Sequence, residues 1–163
     1  MRVLSEKLNL YASYIVVLLI AVLLSVTTIE VFFRNVLNSS IHWSEELSRF
    51  ALVWTTFIGA SVVYKKGELI ALNAFTKLEE KKRMVIFYIT QVITIIFTIF
   101  LIYYSAEAAF SPSTMNQITP GLQVSMAVPY ISIPIGLLLM LIHEIAFLLD
   151  PKELFDKEGE YES

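Results

Sequence analysis

The sequence predicts an all-α membrane protein with four transmembrane helices. A short amphipathic interfacial helix is expected between spans two and three, with both chain ends on the inner side. Three observations carry this. Of 163 residues, 56% are hydrophobic and only 17% are charged, against about a quarter charged in a soluble domain. The deficit is concentrated in long uncharged runs, and roughly 20 apolar residues in a helix cross a hydrocarbon core. The remaining charges gather in the connections, where they carry topological information.

Span one covers residues 10–33, with no charge until Glu30. Arg2 and Lys7 supply a basic start such as a signal peptide has. However, the apolar run is too long for one, and Thr27-Thr28-Ile29-Glu30 is a poor cleavage site, so it reads as a retained anchor. Span two covers 46–64; its apolar part starts at Phe50 and borrows a turn from Glu46–Arg49. Ser44 stands where a hydroxyl can cap that helix, and Glu45 and Glu46 suit its positive N-terminal end. Ala51, Thr55 and Gly59, spaced by four, form a row of small residues that lets another helix approach, either within the chain or from another protein.

Span three covers 84–106. Thr90, Gln91, Thr94, Thr98 and Ser105 lie on roughly one face. Hydroxyls bonding their own backbone, plus one interhelical bond from Gln91, explain this better than a pore lining. Span four covers 127–149. Pro129, Pro134 and Gly136 mark a bend near its outer end, and His143 and Glu144 interrupt it near the other. Residues 1–149 thus form one membrane domain. Pro151 then stops the helix, leaving an acidic tail over 150–163.

Orientation follows from the cations. Arg2, Lys7, Lys65, Lys66, Lys77, Lys81, Lys82, Arg83, Lys152 and Lys157 fall on one side of the four spans; Arg34 and Arg49 fall on the other. The positive-inside rule places both ends and the second loop in the cytoplasm. Trp43, Tyr103, Tyr104 and Tyr130 then sit at the outer interface. In the second loop Leu69, Leu72, Phe75 and Leu78 recur every third position among charged residues, the pattern of an interfacial helix. The third loop, with Pro112 and Pro120-Gly121, is turn-rich and uncharged after Glu107.

The chemistry on offer is sparse. Cysteine is absent, which removes thiolate catalysis and cysteine metal sites. His42 and His143 fall on opposite sides of the membrane, so no histidine metal site is expected. No nucleophile–base pair, phosphate loop or paired-carboxylate constellation is present, which argues against an enzyme. The net charge of −3 argues against a nucleic-acid binder. Glu30 and Arg34 lie one turn apart and can pair, as can Glu45, Glu46 and Arg49. These groups either finish helix ends at the headgroups or make a subunit contact, and Trp43 and Trp54 beside them favour the contact. Candidate interface residues are therefore Arg34, Trp43, Glu45, Glu46, Arg49, Trp54, Thr55 and Gly59.

Arg34-Asn35-Val36-Leu37, Trp43-Ser44-Glu45-Glu46-Leu47-Ser48-Arg49 and Trp54-Thr55-Thr56-Phe57-Ile58-Gly59-Ala60-Ser61 together resemble the small membrane subunit of tripartite ATP-independent periplasmic (TRAP) transporters. The resemblance extends through Gly121 and Pro129-Tyr130-Ile131-Ser132-Ile133-Pro134-Ile135-Gly136 and covers nearly the whole chain. One departure is visible: Lys66-Gly67-Glu68-Leu69-Ile70 stands where such proteins often carry a histidine. The resemblance implies a bacterial inner-membrane complex importing an organic anion, of the sialic acid or C4-dicarboxylate class. It implies a large multi-span partner holding the substrate and sodium sites, and a soluble periplasmic protein that delivers the anion. This subunit would carry no cofactor and would act as scaffold and docking aid. The alternative is an independent four-helix transporter working as a homodimer. Glu30 is its one comparable membrane carboxylate, and it lies too near the outer end and Arg34.

Overall fold

The computed structural model describes residues 2–39, 41–67 and 80–151. Leu69, Leu72, Phe75 and Leu78, the predicted interfacial helix, lie outside the described residues. Helices α1 (Arg2–Val36), α2 (His42–Lys66), α3 (Glu80–Ala109), α4 (Pro112–Asn116) and α5 (Ala127–Leu149) follow in order. Four of them, all but α4, are long and apolar enough to cross a membrane. The predicted fold class therefore stands at the level of four membrane helices.

Three of the four long helices outrun the apolar run that announced them, while α5 coincides with it at 127–149. α1 has 35 residues, about 52 Å at 1.5 Å each, against a hydrocarbon core of roughly 30 Å. Its polar residues cost little in lipid, because the hydroxyls of Ser13, Ser25, Thr27 and Thr28 donate to carbonyls one turn back at 2.7–2.8 Å. The helix ends where Asn38 turns left-handed at φ 49°, a conformation asparagine tolerates. α2 starts at His42 rather than at the first apolar residue, so the polar stretch 42–49 is itself helical. It ends on Gly67 at φ 85°, whose N–H donates to the Tyr64 carbonyl. Lys65 and Lys66 in its last turn complement the negative end of the helix.

The helices pack in the order α1–α2–α5–α3. α5 is central: 44% of its most apolar stretch is buried inside the chain, against none of that of α1. α1 and α3 therefore present most of their apolar surface outward. Two apolar clusters join the helices. Ala12 of α1 meets Ile58 and Val62 of α2, with Val16, Leu19, Trp54 and Leu139 around them. Tyr64, Phe87 and Phe147 join α2, α3 and α5, with Met140 beside them. At Gly136, α5 comes close against α2. A Cβ on Gly136 would lie 2.6 Å from the Phe57 carbonyl carbon and oxygen. α5 runs without interruption through Pro134, and Pro129 falls in its first turn, where the missing N–H has no intrahelical role.

The segment between α3 and α5 is ordered by its own bonds. The Ser111 hydroxyl caps α4 by accepting from the Thr114 N–H. Beyond it, Thr119 N–H donates to the Val124 carbonyl at 2.9 Å and Met126 N–H to the Gln117 carbonyl at 2.8 Å. An isolated antiparallel bridge pairs Ile118 with Ser125.

Candidate functional site

Two groups of polar side chains stand out, at opposite ends of the bundle. The first lies at the end that carries the α1–α2 and α3–α5 connections. Because α2 is helical from His42, Trp43, Glu45, Glu46 and Arg49 are displayed over two turns of one rigid element. Glu45 and Arg49, four residues apart, form an ion pair at 2.6 Å with both side chains largely exposed. Such a pair contributes little to stability.

Glu46 does not join that pair. Its carboxylate accepts the Gly121 N–H at 3.0 Å on one oxygen and the Leu122 N–H at 2.7 Å on the other. It thereby latches the third connection onto the start of α2. Glycine is required there for space, since a Cβ on Gly121 would come 2.9 Å from the Glu46 carboxylate and 2.9 Å from the His42 carbonyl oxygen. Ser44, expected to cap α2, does not. The N-cap is Ile41, and the Ser44 hydroxyl donates to the Ile41 carbonyl at 2.7 Å. Because the helix starts earlier than its apolar run, Ser44 falls inside the first turn.

The remaining interface candidates divide. Trp43 is 43% exposed, and Arg34 is exposed at the end of α1. Among the described residues no ion pair joins Arg34 to Glu30. Trp54 is turned inward, its indole N–H donating to the Val128 carbonyl of α5 at 3.2 Å. Thr55 is half-buried. Gly59 faces α1, where an added Cβ would lie 4.0 Å from Val16. Of the small-residue row, Gly59 thus serves packing within the chain.

The second group lies toward the lysine-bearing end and is buried. Tyr64, Gln91, Thr98, His143 and Glu144 are each no more than 4% exposed. Gln91 of α3 donates to the Tyr64 hydroxyl of α2 at 2.8 Å and to the Glu144 backbone carbonyl of α5 at 3.0 Å. Thr98 donates to one oxygen of the Glu144 carboxyl at 2.8 Å; the other oxygen has no hydrogen-bond partner. Ser5 of α1 and the Nδ1 of His143 are hydrogen-bonded at 2.8 Å. Lys65, 2% exposed, lies 5.0 Å from the centre of the Phe147 ring, within cation–π range. All four long helices are thus tied through polar groups at this end.

Sequence reasoning identified the interhelical role of Gln91 but not its partners, and it read Glu144 only as an interruption near the inner end of span four. The signal was available: two adjacent ionisable residues in an otherwise apolar 23-residue helix need partners. Among the described residues no group of three or more metal-ligating side chains comes together.

The fold defines a multi-pass membrane protein whose buried polar groups join helix to helix. Residues 23–152 match the model of the family described as "Tripartite ATP-independent periplasmic transporters, DctQ component". The chain belongs to that family, whose members are transporter components rather than enzymes. It is 32% identical over 85 residues to a protein of Vibrio cholerae serotype O1 named "Sialic acid TRAP transporter small permease protein SiaQ". That alignment covers 52% of this chain and 49% of the relative, so the chain spans about half the length of the curated relative it matches.

Proposed function

We propose that this chain is the small scaffold subunit of a sodium-coupled transporter in a bacterial inner membrane. It supports a large multi-span subunit, which holds the substrate and sodium sites. It also helps to dock a periplasmic binding protein that delivers an organic anion, of the sialic acid class by analogy with the relative's name. The observation that carries this reading is the use of the interior polar groups. Gln91 is engaged with Tyr64 and the Glu144 carbonyl, and Thr98 with the Glu144 carboxyl. These groups tie helices together, as a rigid support requires. Both chain ends lie in the cytoplasm on this reading, so the latched α3–α5 connection and the exposed Trp43, Glu45 and Arg49 lie at the periplasmic end of the bundle.

Reconstitution tests it. In liposomes with an inward sodium gradient, this chain alone takes up no sialic acid or C4-dicarboxylate. Uptake appears when the large subunit and the binding protein are added. Sodium-driven uptake by this chain alone overturns the scaffold reading. A complex of the large subunit and binding protein that transports equally well without this chain overturns it too.

A further inference from the structure

At the end of the bundle where Glu46 holds the α3–α5 connection, a groove of about 390 Å³ runs between α2 and α5. Phe50 and Val53 wall it on one side; Pro129, Tyr130 and Ile133 wall it on the other. Counted from Met126, which closes its top, the α5 residues follow the i, i+3, i+4, i+7 spacing of one helix face. The groove therefore tracks the α5 axis for about 10 Å, most of the roughly 15 Å depth of one hydrocarbon leaflet. Directly above it, a second cleft of about 480 Å³ shares Arg49, Phe50 and Met126 and is rimmed by His42, Glu45 and Thr119. Through these shared residues the two clefts adjoin as an open channel, apolar below and ionic at the mouth. Trp43 and Tyr130, 43% and 42% exposed, are the aromatic types that settle at headgroup level.

We propose that this channel holds one phospholipid with a zwitterionic, amine-bearing headgroup. Its phosphate sits on Arg49, its ammonium on Glu45, and one acyl chain lies along the groove. The charges at the mouth select this occupant. Arg49 faces Glu45 across 2.6 Å, with the two side chains 61% and 74% exposed, and Glu46 is already engaged by two backbone N–H groups. A purely anionic headgroup would meet Glu45 beside its one cation. An uncharged headgroup could hydrogen-bond to either partner but would bring neither a counter-charge. A headgroup carrying both signs a few atoms apart supplies a counter-charge to each, and the guanidinium fork suits phosphate oxygens. Below the mouth, the channel lining is suited to hydrocarbon. The assignment rests on the four-span reading alone and not on the transporter assembly.

The test is native mass spectrometry of the delipidated full chain in detergent. The probes are phosphatidylethanolamine, phosphatidylglycerol and diacylglycerol with the same acyl chains. One phosphatidylethanolamine adduct is expected, about tenfold tighter than either alternative. Arg49→Gln and Ile133→Trp, which fills the groove, weaken it by about tenfold, whereas Val92→Trp on the exposed face of α3 leaves it unchanged. A phosphatidylethanolamine carrying a photoreactive acyl chain labels Val53 and Ile133 of the unaltered chain, which decides the matter should the tryptophan variant fail to fold. Equal retention of all three lipids, or an adduct indifferent to both groove variants, overturns the proposal. So does labelling spread evenly over α1 and α3. In the assembled transporter, cross-linking of Val53→Cys to a helix of the large subunit, with no phospholipid retained, assigns the groove to protein and overturns it equally.

Discussion

Replacing Gly136 by alanine tests the most constrained contact in the bundle. The added methyl would lie 2.6 Å from the carbonyl carbon and oxygen of Phe57 and 2.7 Å from its Cβ. Comfortable carbon contacts are about 3.5–4.0 Å, so α5 and α2 must part by roughly 1 Å. The obstacle is helix backbone, which cannot rotate aside as a side chain can. Overpacking of this kind costs about 1–3 kcal/mol, and this site belongs at the upper end. Removing a mid-helix glycine returns about 0.5–1 kcal/mol. The expected net loss is therefore about 2 kcal/mol. Gly59→Ala is the matched control. Its methyl would meet Val16 at an ordinary 4.0 Å, so only the helix-propensity gain remains and the variant should be more stable by about 0.5–1 kcal/mol. Reversible unfolding in mixed micelles, titrated with a denaturing detergent, measures both. Fluorescence of Trp54, whose indole bonds Val128 across the same helix pair, reports the separation. A Gly136→Ala variant within about 0.5 kcal/mol of the parent, or two variants moving in the same direction, refutes the account of this crossing.

Gln91→Leu removes the donor to both Tyr64 and the Glu144 carbonyl. It should destabilise by about 1–3 kcal/mol in the same titration, and a double-mutant cycle with Tyr64→Phe should show a non-zero coupling. Glu46→Gln leaves one oxygen to accept where two served. Hydrogen exchange at Gly121 and Leu122 should accelerate by roughly tenfold, with little change in α5; unchanged exchange would show that the loop holds itself. Because the chain contains no cysteine, single cysteines report topology without background. Ser113→Cys should react with an impermeant maleimide on intact cells, and Lys66→Cys only after permeabilisation. The reverse pattern would invert the orientation read from the lysines.

The four crossings were legible because hydropathy is a property of single residues added along a window. Boundaries were less so: residues 42–45 were left outside span two, yet α2 begins at His42. The partners were least legible, for a geometric reason. Glu46 and Arg49 suggest each other by spacing, and Glu45 and Glu46 are equivalent in that argument. Only the fold brings Gly121, seventy-five positions away, against one carboxylate and leaves the other to Arg49. The same holds for Glu144, whose partners Gln91 and Thr98 belong to a different helix. A row of hydroxyls on α3 signals that something faces it, but not what. The small-residue row of α2 was read as a surface for another helix, and at Gly59 an added Cβ would meet Val16 of α1 at an ordinary 4.0 Å. Which helix approached, α1 at Gly59, required the packing order.

That packing order also bears on where the rigidity of the molecule resides. Lipid offers helices no hydrophobic incentive to associate, so close packing must supply most of the attraction, and a single interhelical hydrogen bond averages only about 0.6 kcal/mol. The Gly136–Phe57 crossing, where α5 comes against the Phe57 backbone, is thus a close-packed attachment between α2 and α5. The polar ties add less energy and fix something else. Gln91 bonds to α2 and α5 at once, which is satisfied at one rotation and one height of α3 only. A helix that slid by a single turn would keep its apolar contacts but strand Gln91, Tyr64 and Thr98 together, each at the cost of an unmade buried bond. Packing therefore holds the helices together, and the buried polar groups determine the register in which they are held.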